Sequence, residues 1–161
     1  LGDGVVDVAG GSYVWAISTE DGELLWEADT GRPSEISEAP TLADDRLLVP
    51  GCFDDNHLYA LDPETGEKLW ETNMMGCPER IIDYPNILAL VATSDDQIYL
   101  IDSTTGEPLA RQSLDRRLTA GPVRVDDLLF MAVNDHTLGG PHGLGILQAC
   151  RLPDKEPWGQ F

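Results

Sequence analysis

The chain has 161 residues, and its 10 Lys and Arg against 29 Asp and Glu give a formal net charge of −19. This charge argues against nucleic acid or anionic lipid as a partner, because ten scattered cations cannot form a basic groove. Hydrophobic residues make up 42% of the chain and occur in short runs, so the acidity indicates a folded domain with an anionic shell. The composition fits either a protein adapted to high salt or an ordinary acidic domain.

The start of the chain has no feature of a membrane or secretion segment. No apolar run approaches the roughly 18 residues of a membrane-spanning helix, and the first residues lack a basic start and an apolar core. We therefore expect no direct membrane insertion. The first residue is Leu1 and not Met, which fits a removed leader or a piece of a longer polypeptide.

Apolar runs of strand length follow turn signals along the chain, at residues 47–49, 88–91 and 128–133. Aspartate pairs recur beside such runs and predict hairpin tips, because short polar side chains tolerate unusual backbone angles. These pairs are Asp44/Asp45, Asp54/Asp55, Asp95/Asp96 and Asp126/Asp127. They lack the spacing of a calcium-binding loop. No segment of ten or more residues has a helical period, so the sequence predicts an all-β fold.

Three similar segments reveal an internal repeat: YVWAISTEDGELLWE from Tyr13, HLYALDPETGEKLWE from His57 and QIYLIDSTTGEPLAR from Gln97. Their turn glycines are Gly22, Gly66 and Gly106, which are 44 and then 40 residues apart. A period of this length is typical of a four-stranded propeller blade. The repeat predicts a β-propeller of about three and a half to four blades. One partial propeller then spans residues 1–161, with approximate blades at 1–32, 33–74, 75–114 and 115–161.

The second copy shows the physical use of the repeated residues. Ala60 is small enough for a place where strands converge, and Asp62 can accept hydrogen bonds from the turn that follows it. Gly66 supplies a positive φ, and a buried indole at Trp70 contributes about 4 kcal/mol by area. The pattern A-x-D-x-x-T-G-x-x-x-W resembles the tryptophan-docking motif of the PQQ-like (quinoprotein-like) β-propellers. That family contains pyrroloquinoline-quinone (PQQ) dehydrogenases and the BamB-type lipoprotein of outer-membrane assembly.

The copies match this motif to different degrees, and we expect the matching residues to dock one blade on the next. The second copy is complete, with Ala60, Asp62, Thr65, Gly66 and Trp70. The first keeps Ala16, Gly22 and Trp26 but has Ser18 and Asp21 in place of the Asp and Thr. The third keeps Asp102, Thr105 and Gly106, with Leu100 and Ala110 at the flanking positions. The fourth retains Ala149 and Trp158 without the glycine.

Cysteine and histidine offer few candidates for chemistry. Cys52, Cys77 and Cys150 lack metal or haem spacing, so they are buried thiols or, in an oxidising compartment, include a Cys52–Cys77 disulfide. Asp135, His136 and His142 lie in a glycine-rich segment that is either a long connection or a weak metal site. Trp15 is either a residue of the sheet surface or a platform for a quinone. We assign no catalytic or cofactor-binding residue.

The resemblance implies two function classes. One is a non-catalytic scaffold or assembly subunit that binds other proteins in the periplasm, at the cell surface or after secretion. The other is part of a PQQ-dependent alcohol or sugar dehydrogenase whose ligands for PQQ and calcium lie outside this chain. Because an open half-ring exposes sheet faces, we expect the remaining blades in a longer polypeptide or in a second copy that completes the ring. The repeat starts partway through a blade, which favours the longer polypeptide.

Overall fold

The computed structural model describes residues 4–32, 38–52, 55–84, 88–114, 117–126, 128–135 and 144–151. Within these ranges the chain forms fourteen β-strands and no helix, which confirms the all-β prediction. No helix there could span a membrane. The predicted apolar runs at 47–49, 88–91 and 128–133 all lie within strands.

The strands form four antiparallel sheets, and within each sheet they follow sequence order. The first sheet contains β1 (Val5–Gly10), β2 (Tyr13–Ser18) and β3 (Leu24–Asp29). The second contains β4 (Thr41–Ala43), β5 (Arg46–Pro50), β6 (His57–Leu61) and β7 (Lys68–Asn73). The third contains β8 (Pro78–Tyr84), β9 (Leu88–Thr93), β10 (Gln97–Asp102) and β11 (Pro108–Ser113). The fourth contains β12 (Arg117–Val125), β13 (Leu128–Asp135) and β14 (Leu144–Arg151). This architecture is the predicted partial β-propeller.

Aspartates form three of the hairpin tips. A positive φ is found at Asp44 (52°), Asp96 (61°) and Asp126 (55°), which confirms the prediction at those three aspartates. Asp55 departs from it, because its side chain is fully buried and the neighbouring Asn56 takes the positive φ. Asp54 and Asp127 lie outside the described residues. Asp55 is buried because its carboxylate has polar partners inside the protein, as described below.

Each of the first three sheets has a β-bulge in its last hairpin, at the same place in the repeat. The register shifts after the pairs Ala16↔Trp26, Ala60↔Trp70 and Leu100↔Ala110. One residue of each outer strand is therefore left without a partner across the hairpin. These residues are Leu25, Leu69 and Leu109.

Buried apolar clusters join consecutive sheets. In the second sheet, Leu47, Val49, Tyr59 and Leu61 share one cluster with Val14, Ala16 and Trp26 of the first sheet. Leu48, Leu58 and Ala60 share another with Ala89, Val91, Tyr99 and Ile101 of the third. We call the side of a sheet that meets the preceding sheet its leading face, and the side that meets the following sheet its trailing face. Because successive side chains of a strand point to opposite sides of the sheet, neighbouring residues contribute to opposite faces.

The third junction follows the same rule. Leu90, Ala92 and Ile98 of the third sheet's trailing face cluster with Leu129, Met131 and Val133, the leading face of the fourth. All three junctions therefore join a trailing face to the next leading face.

Candidate functional site

Two indoles of the predicted motif reach across to the next sheet. Trp26 Nε1 donates a hydrogen bond of 3.0 Å to the carbonyl oxygen of Pro63, and Trp70 Nε1 donates one of 3.0 Å to that of Ser103. Pro63 and Ser103 occupy the same position in the turns of the second and third copies. Each indole thus satisfies its polar group while its ring covers a turn of the following sheet.

The turn glycines are the surfaces on which these rings rest. Gly66 has a φ of +73°, and a Cβ there would lie 2.6 Å from Cε3 of Trp26. Gly106 has a φ of +76°, and its Cβ would lie 2.5 Å from Cε3 of Trp70. Both the backbone angle and the contact with the ring therefore require glycine.

The aspartates of the motif stabilise the same turns by accepting hydrogen bonds from their backbone amides. Asp62 Oδ1 accepts hydrogen bonds from the amides of Glu64 (2.8 Å) and Thr65 (2.9 Å), and these bonds lower the pKa of Asp62. Asp102 Oδ1 accepts the equivalent bonds from Thr104 and Thr105. The hydroxyls of Thr65 and Thr105 accept from the amides of Glu67 and Glu107, both at 3.3 Å.

In the first copy, different side chains accept the hydrogen bonds of the turn. Ser18 Oγ accepts from the amide of Glu20 at 3.3 Å, and Asp21 Oδ1 accepts from the amide of Glu23 at 3.1 Å. Hydrogen bonds from Ser18 and from Glu23 lower the pKa of Asp21. Gly22 keeps a positive φ of +77°, but no atom of the described residues lies within 4 Å of its Cβ position. Within the described part of the chain, therefore, no indole lies on the first turn.

The remaining motif residues are distributed as follows. Ala16 and Ala60 are fully buried, and Ala110 pairs with Leu100. Ala149 lies in β14 opposite Phe130, whereas Trp158 lies outside the described residues. Trp15 lies in β2, where its Nε1 donates to Glu27 at 2.7 Å and its ring stacks on Tyr13.

Two of the three weak metal candidates fall outside the described residues. Asp135 ends β13, and His136 and His142 lie outside the described residues. In the part of the chain that the structure describes, no three His, Cys, Asp or Glu side chains form a group able to hold a metal ion.

A buried polar cluster around Asp55 was not predicted from the sequence. Tyr59 donates a 2.6 Å hydrogen bond to Asp55 Oδ2, and burial followed by this bond raises the pKa of Tyr59. His57 Nδ1 and Arg32 Nε lie 2.9 and 3.7 Å from Asp55 Oδ1, although neither is aligned for a hydrogen bond. Because Arg32 follows the first sheet and Asp55 precedes β6, the cluster links two sheets.

Glu71 extends this cluster to the surface of the protein. Its carboxylate accepts hydrogen bonds from Lys68 Nζ (2.7 Å) and from a guanidinium nitrogen of Arg32 (2.9 Å). These two bonds, with Lys68 the stronger contributor, lower the pKa of Glu71 from 4.5 to about 2. Lys68 also lies 5.7 Å from the centre of the Tyr59 ring.

We expect Glu71→Gln to destabilise the protein only where the carboxylate is ionised. Because the folded pKa of about 2 lies below the ordinary 4.5, the stabilisation is present above pH 4.5 and disappears as the pH falls towards 2. Urea unfolding of both proteins across this range tests it, and their midpoints should converge at the acid end. About 1 M NaCl should shrink the difference at neutral pH, because the pair is partly exposed. A difference independent of pH contradicts the assignment.

A disulfide joins Cys52 to Cys77, with a Cα–Cα distance of 4.8 Å and a sequence separation of 25. Of the two alternatives left open for these cysteines, the structure has the paired one. Cys52 follows β5 and Cys77 precedes β8, so the bond ties the second sheet to the third.

The bulged leucines of the outer strands point to solvent. Leu25, Leu69 and Leu109 are 52%, 44% and 51% exposed, respectively. The repeat places one such side chain on the last strand of each of the first three sheets. The signal was visible in the sequence as a leucine three residues after each turn glycine.

A pocket of about 510 Å³ lies between β8 and β12, the first strands of the third and fourth sheets. Its lining is Ile82, Asp83, Pro122, Val123, Arg124 and Asp126. The Arg124 guanidinium lies 5.3 Å from the centre of the Tyr84 ring. Burial, with a smaller effect of Asp44, raises the pKa of Asp83. The pocket is therefore charged, with both signs present.

Comparisons with known proteins agree with this architecture. A family model described as outer membrane protein assembly factor BamB matches residues 1–81 and 54–140. BamB from Moraxella catarrhalis superposes with a TM-score of 0.66 at 16% identity, over 89% of this chain and 48% of that chain. The computationally designed Ika4 protein gives 0.73 at 16% identity, over 95% and 88%. A quinohemoprotein alcohol dehydrogenase from Pseudomonas putida HK5 gives 0.63 at 15%, over 92% and 33%.

No curated protein sequence matches the chain. The chain spans about half the length of the Moraxella BamB structure, at 48% of it. At these identities the structural likeness concerns the fold.

Proposed function

This chain belongs to the PQQ-like propeller family represented by the outer membrane protein assembly factor BamB, and from this membership we propose that it is a non-catalytic, protein-binding scaffold or assembly subunit outside the cytoplasm. The fold supports many functions, so the proposal rests on surface features of this chain.

The observation that carries the proposal is the exposed leucine on each outer strand. The bulges at Leu25, Leu69 and Leu109 turn an apolar side chain outward from three successive sheets. The sheets do not use these side chains in their buried clusters. A partner that covered such side chains would use them as the apolar, buried centre of the contact, and the repeat offers one on each of three sheets.

The Cys52–Cys77 disulfide supports a location outside the cytoplasm. Disulfides persist in oxidising compartments and are rare in the cytosol, apart from catalytic and hyperthermophilic cases. The likeness to a BamB protein agrees with such a compartment.

We expect site-specific photo-cross-linking to detect the partner at the outer strands. A benzophenone amino acid at Leu25, Leu69 or Leu109 should give the same set of adducts in cells that produce the protein. The exposed turn residues Glu64 and Thr104 are controls that should give none of these adducts. Equal cross-linking at control and leucine positions contradicts the proposal, and so does cross-linking at neither.

The alternative is part of a PQQ-dependent dehydrogenase, favoured by the likeness to the quinohemoprotein alcohol dehydrogenase and by the pocket between β8 and β12. The pocket's own residues do not fit a calcium-bound quinone. Arg124 places a positive charge beside Asp83 and covers the ring of Tyr84. Ligands for PQQ and calcium would have to come from outside this chain. Addition of PQQ and Ca²⁺, followed by an absorbance scan and dye reduction with alcohols or sugars, tests it; activity overturns the scaffold proposal.

A further inference from the structure

Two equivalent positions of the repeat carry opposite charges. Glu71 lies opposite Tyr59 across the last hairpin of the second sheet, and Arg111 lies opposite Tyr99 at the same place in the third. The carboxylate of Glu71 accepts hydrogen bonds from two cations of this chain, as described above. An equally satisfied Arg111 would require an anion at this place.

The structure provides no such anion. Within the ranges that it describes, no carboxylate forms an ion pair with Arg111, whose guanidinium contacts the thioether sulfur of Met75, a weak acceptor. Four other cations in these ranges are paired with carboxylates, namely Arg32, Arg46, Lys68 and Arg80. Arg111 is exposed, so its charge is accessible to an anion from outside the chain.

The preceding sheet supplies no side chain to Arg111 at the position that serves Glu71. Arg32, which donates to Glu71, lies six residues after Trp26. The residue six positions after Trp70 is Gly76, and a Cβ there would lie 2.3 Å from a carboxylate oxygen of the third sheet. Close packing therefore keeps this position of the second junction without a side chain.

The hydroxyl of Tyr99 is a second polar group without a partner. Tyr99 is 5% exposed, and its hydroxyl makes no hydrogen bond to any described residue. Its counterpart Tyr59 donates to Asp55. Asp95 occupies the position of Asp55 in the third sheet, but its Oδ1 accepts from Thr93 at 2.6 Å. Because a buried donor without an acceptor is unfavourable, an acceptor from outside would be stabilised here.

Exposed apolar side chains adjoin this pair of polar groups. Met75, whose sulfur contacts the guanidinium, is 67% exposed. Leu109, two residues before Arg111 on β11, is 51% exposed. We call Arg111, Tyr99, Met75 and Leu109 together the Arg111 site. It combines a cation and an unused donor with apolar surface.

We propose that the Arg111 site binds an acidic side chain of a partner protein. Arg111 and the Tyr99 hydroxyl donate to the Asp or Glu carboxylate, and apolar neighbours of that residue lie on Met75 and Leu109. The inference rests on the proposed scaffold function and adds the chemistry of the partner, because Leu109 is one of the three exposed leucines.

Charge favours a protein segment with one carboxylate as the occupant. The net charge of −19 repels nucleic acid and anionic lipid, which bring many phosphates close to the surface. A single carboxylate between apolar residues brings one negative charge to a local cation, and its neighbours bury apolar surface. The same net charge means that non-specific attraction cannot hold an acidic peptide.

Titration of the 161-residue chain with short peptides measures the site directly. The peptide Leu-Glu-Leu, blocked at both ends, should bind with a dissociation constant on the order of 1 mM. It should shift the NMR signals of the Arg111 Nε–H and the Met75 methyl group. Blocked Leu-Gln-Leu has the same shape without the charge and should bind at least about tenfold more weakly.

Three variants identify the groups that bind the carboxylate. Arg111→Gln should weaken Leu-Glu-Leu binding at least about tenfold, and Tyr99→Phe about threefold or more. The urea midpoint of Arg111→Gln should stay unchanged, because Arg111 pairs with no described carboxylate. Arg80→Gln is the matched control, since exposed Arg80 is already paired with Glu38, and it should leave peptide binding unchanged. Equal binding of both peptides, or binding unaffected by Arg111→Gln or Tyr99→Phe, overturns the proposal.

Cross-linking separates failure of this site from failure of the scaffold role. With the benzophenone amino acid at Leu109, Arg111→Glu should lower the yield of adducts at least about fivefold, because it repels the partner's carboxylate. Adducts at full yield in Arg111→Glu overturn the carboxylate site and leave the scaffold role standing. Selective binding of Leu-Glu-Leu without adducts at any of the three leucines supports the site and contradicts the scaffold role.

Discussion

Trp70→Ala is expected to lower the free energy of unfolding by about 3 kcal/mol, the lower end of the range for removing a large aromatic from a packed site. The ring covers Gly106 in the next sheet, and its Nε1 donates to the Ser103 carbonyl. Alanine therefore removes both the apolar contact and the hydrogen bond between two sheets. Urea unfolding followed by circular dichroism gives the change directly.

Two further variants on the same strand test whether the loss of stability is due to the indole of Trp70. Trp70→Phe keeps an aromatic ring without the N–H, so it should cost about 1 to 2 kcal/mol. Leu69→Ala changes the exposed neighbour and should cost no more than about 0.5 kcal/mol. If Trp70→Ala were no more damaging than Leu69→Ala, the indole would not hold the second and third sheets together.

Loss of the Cys52–Cys77 disulfide should have an effect of similar size. A cross-link across 25 residues stabilises a protein by about 3.5 kcal/mol in the chain-entropy model. Here the bond also joins the end of β5 to the start of β8, so the reduced protein loses a tie between two sheets. Unfolding in urea with and without dithiothreitol should show a difference of that size in the free energy of unfolding.

A matched variant separates this effect from other actions of the reductant. The double variant Cys52→Ala, Cys77→Ala should start at the lower stability and should not respond to dithiothreitol. Cys150→Ala should keep the full response, because Cys150 is no part of the bond. An equal response of the wild-type chain and the double variant contradicts the prediction.

The repeat made most of the architecture predictable. Strand positions followed from apolar runs such as 128–133, and the turn glycines fixed the phase of the last hairpin in each of the first three sheets. These are local signals, because a positive φ or an alternating pattern acts on the few residues that carry it. The contact between Trp70 and Gly106 crosses 36 residues, but the repeat extends a local rule to it.

The polar cluster around Asp55 was not predictable, because it depends on contacts between sheets and not on a local signal. Asp55 looks like the other paired aspartates in sequence, and only its approach to Tyr59 and Arg32 makes it a buried group. Those contacts depend on the packing of two sheets, which no residue spacing encodes.

The equivalence of the junctions has a consequence for how such a protein can change in length. Because all three described junctions join a trailing face to the next leading face, removal or duplication of one whole blade, such as the unit around β4 to β7, still leaves a trailing face opposite a leading face. The number of blades can therefore vary by recombination within a gene without the invention of a new interface. What limits it is the curvature of the ring, since each added unit changes the angle that the remaining blades must share.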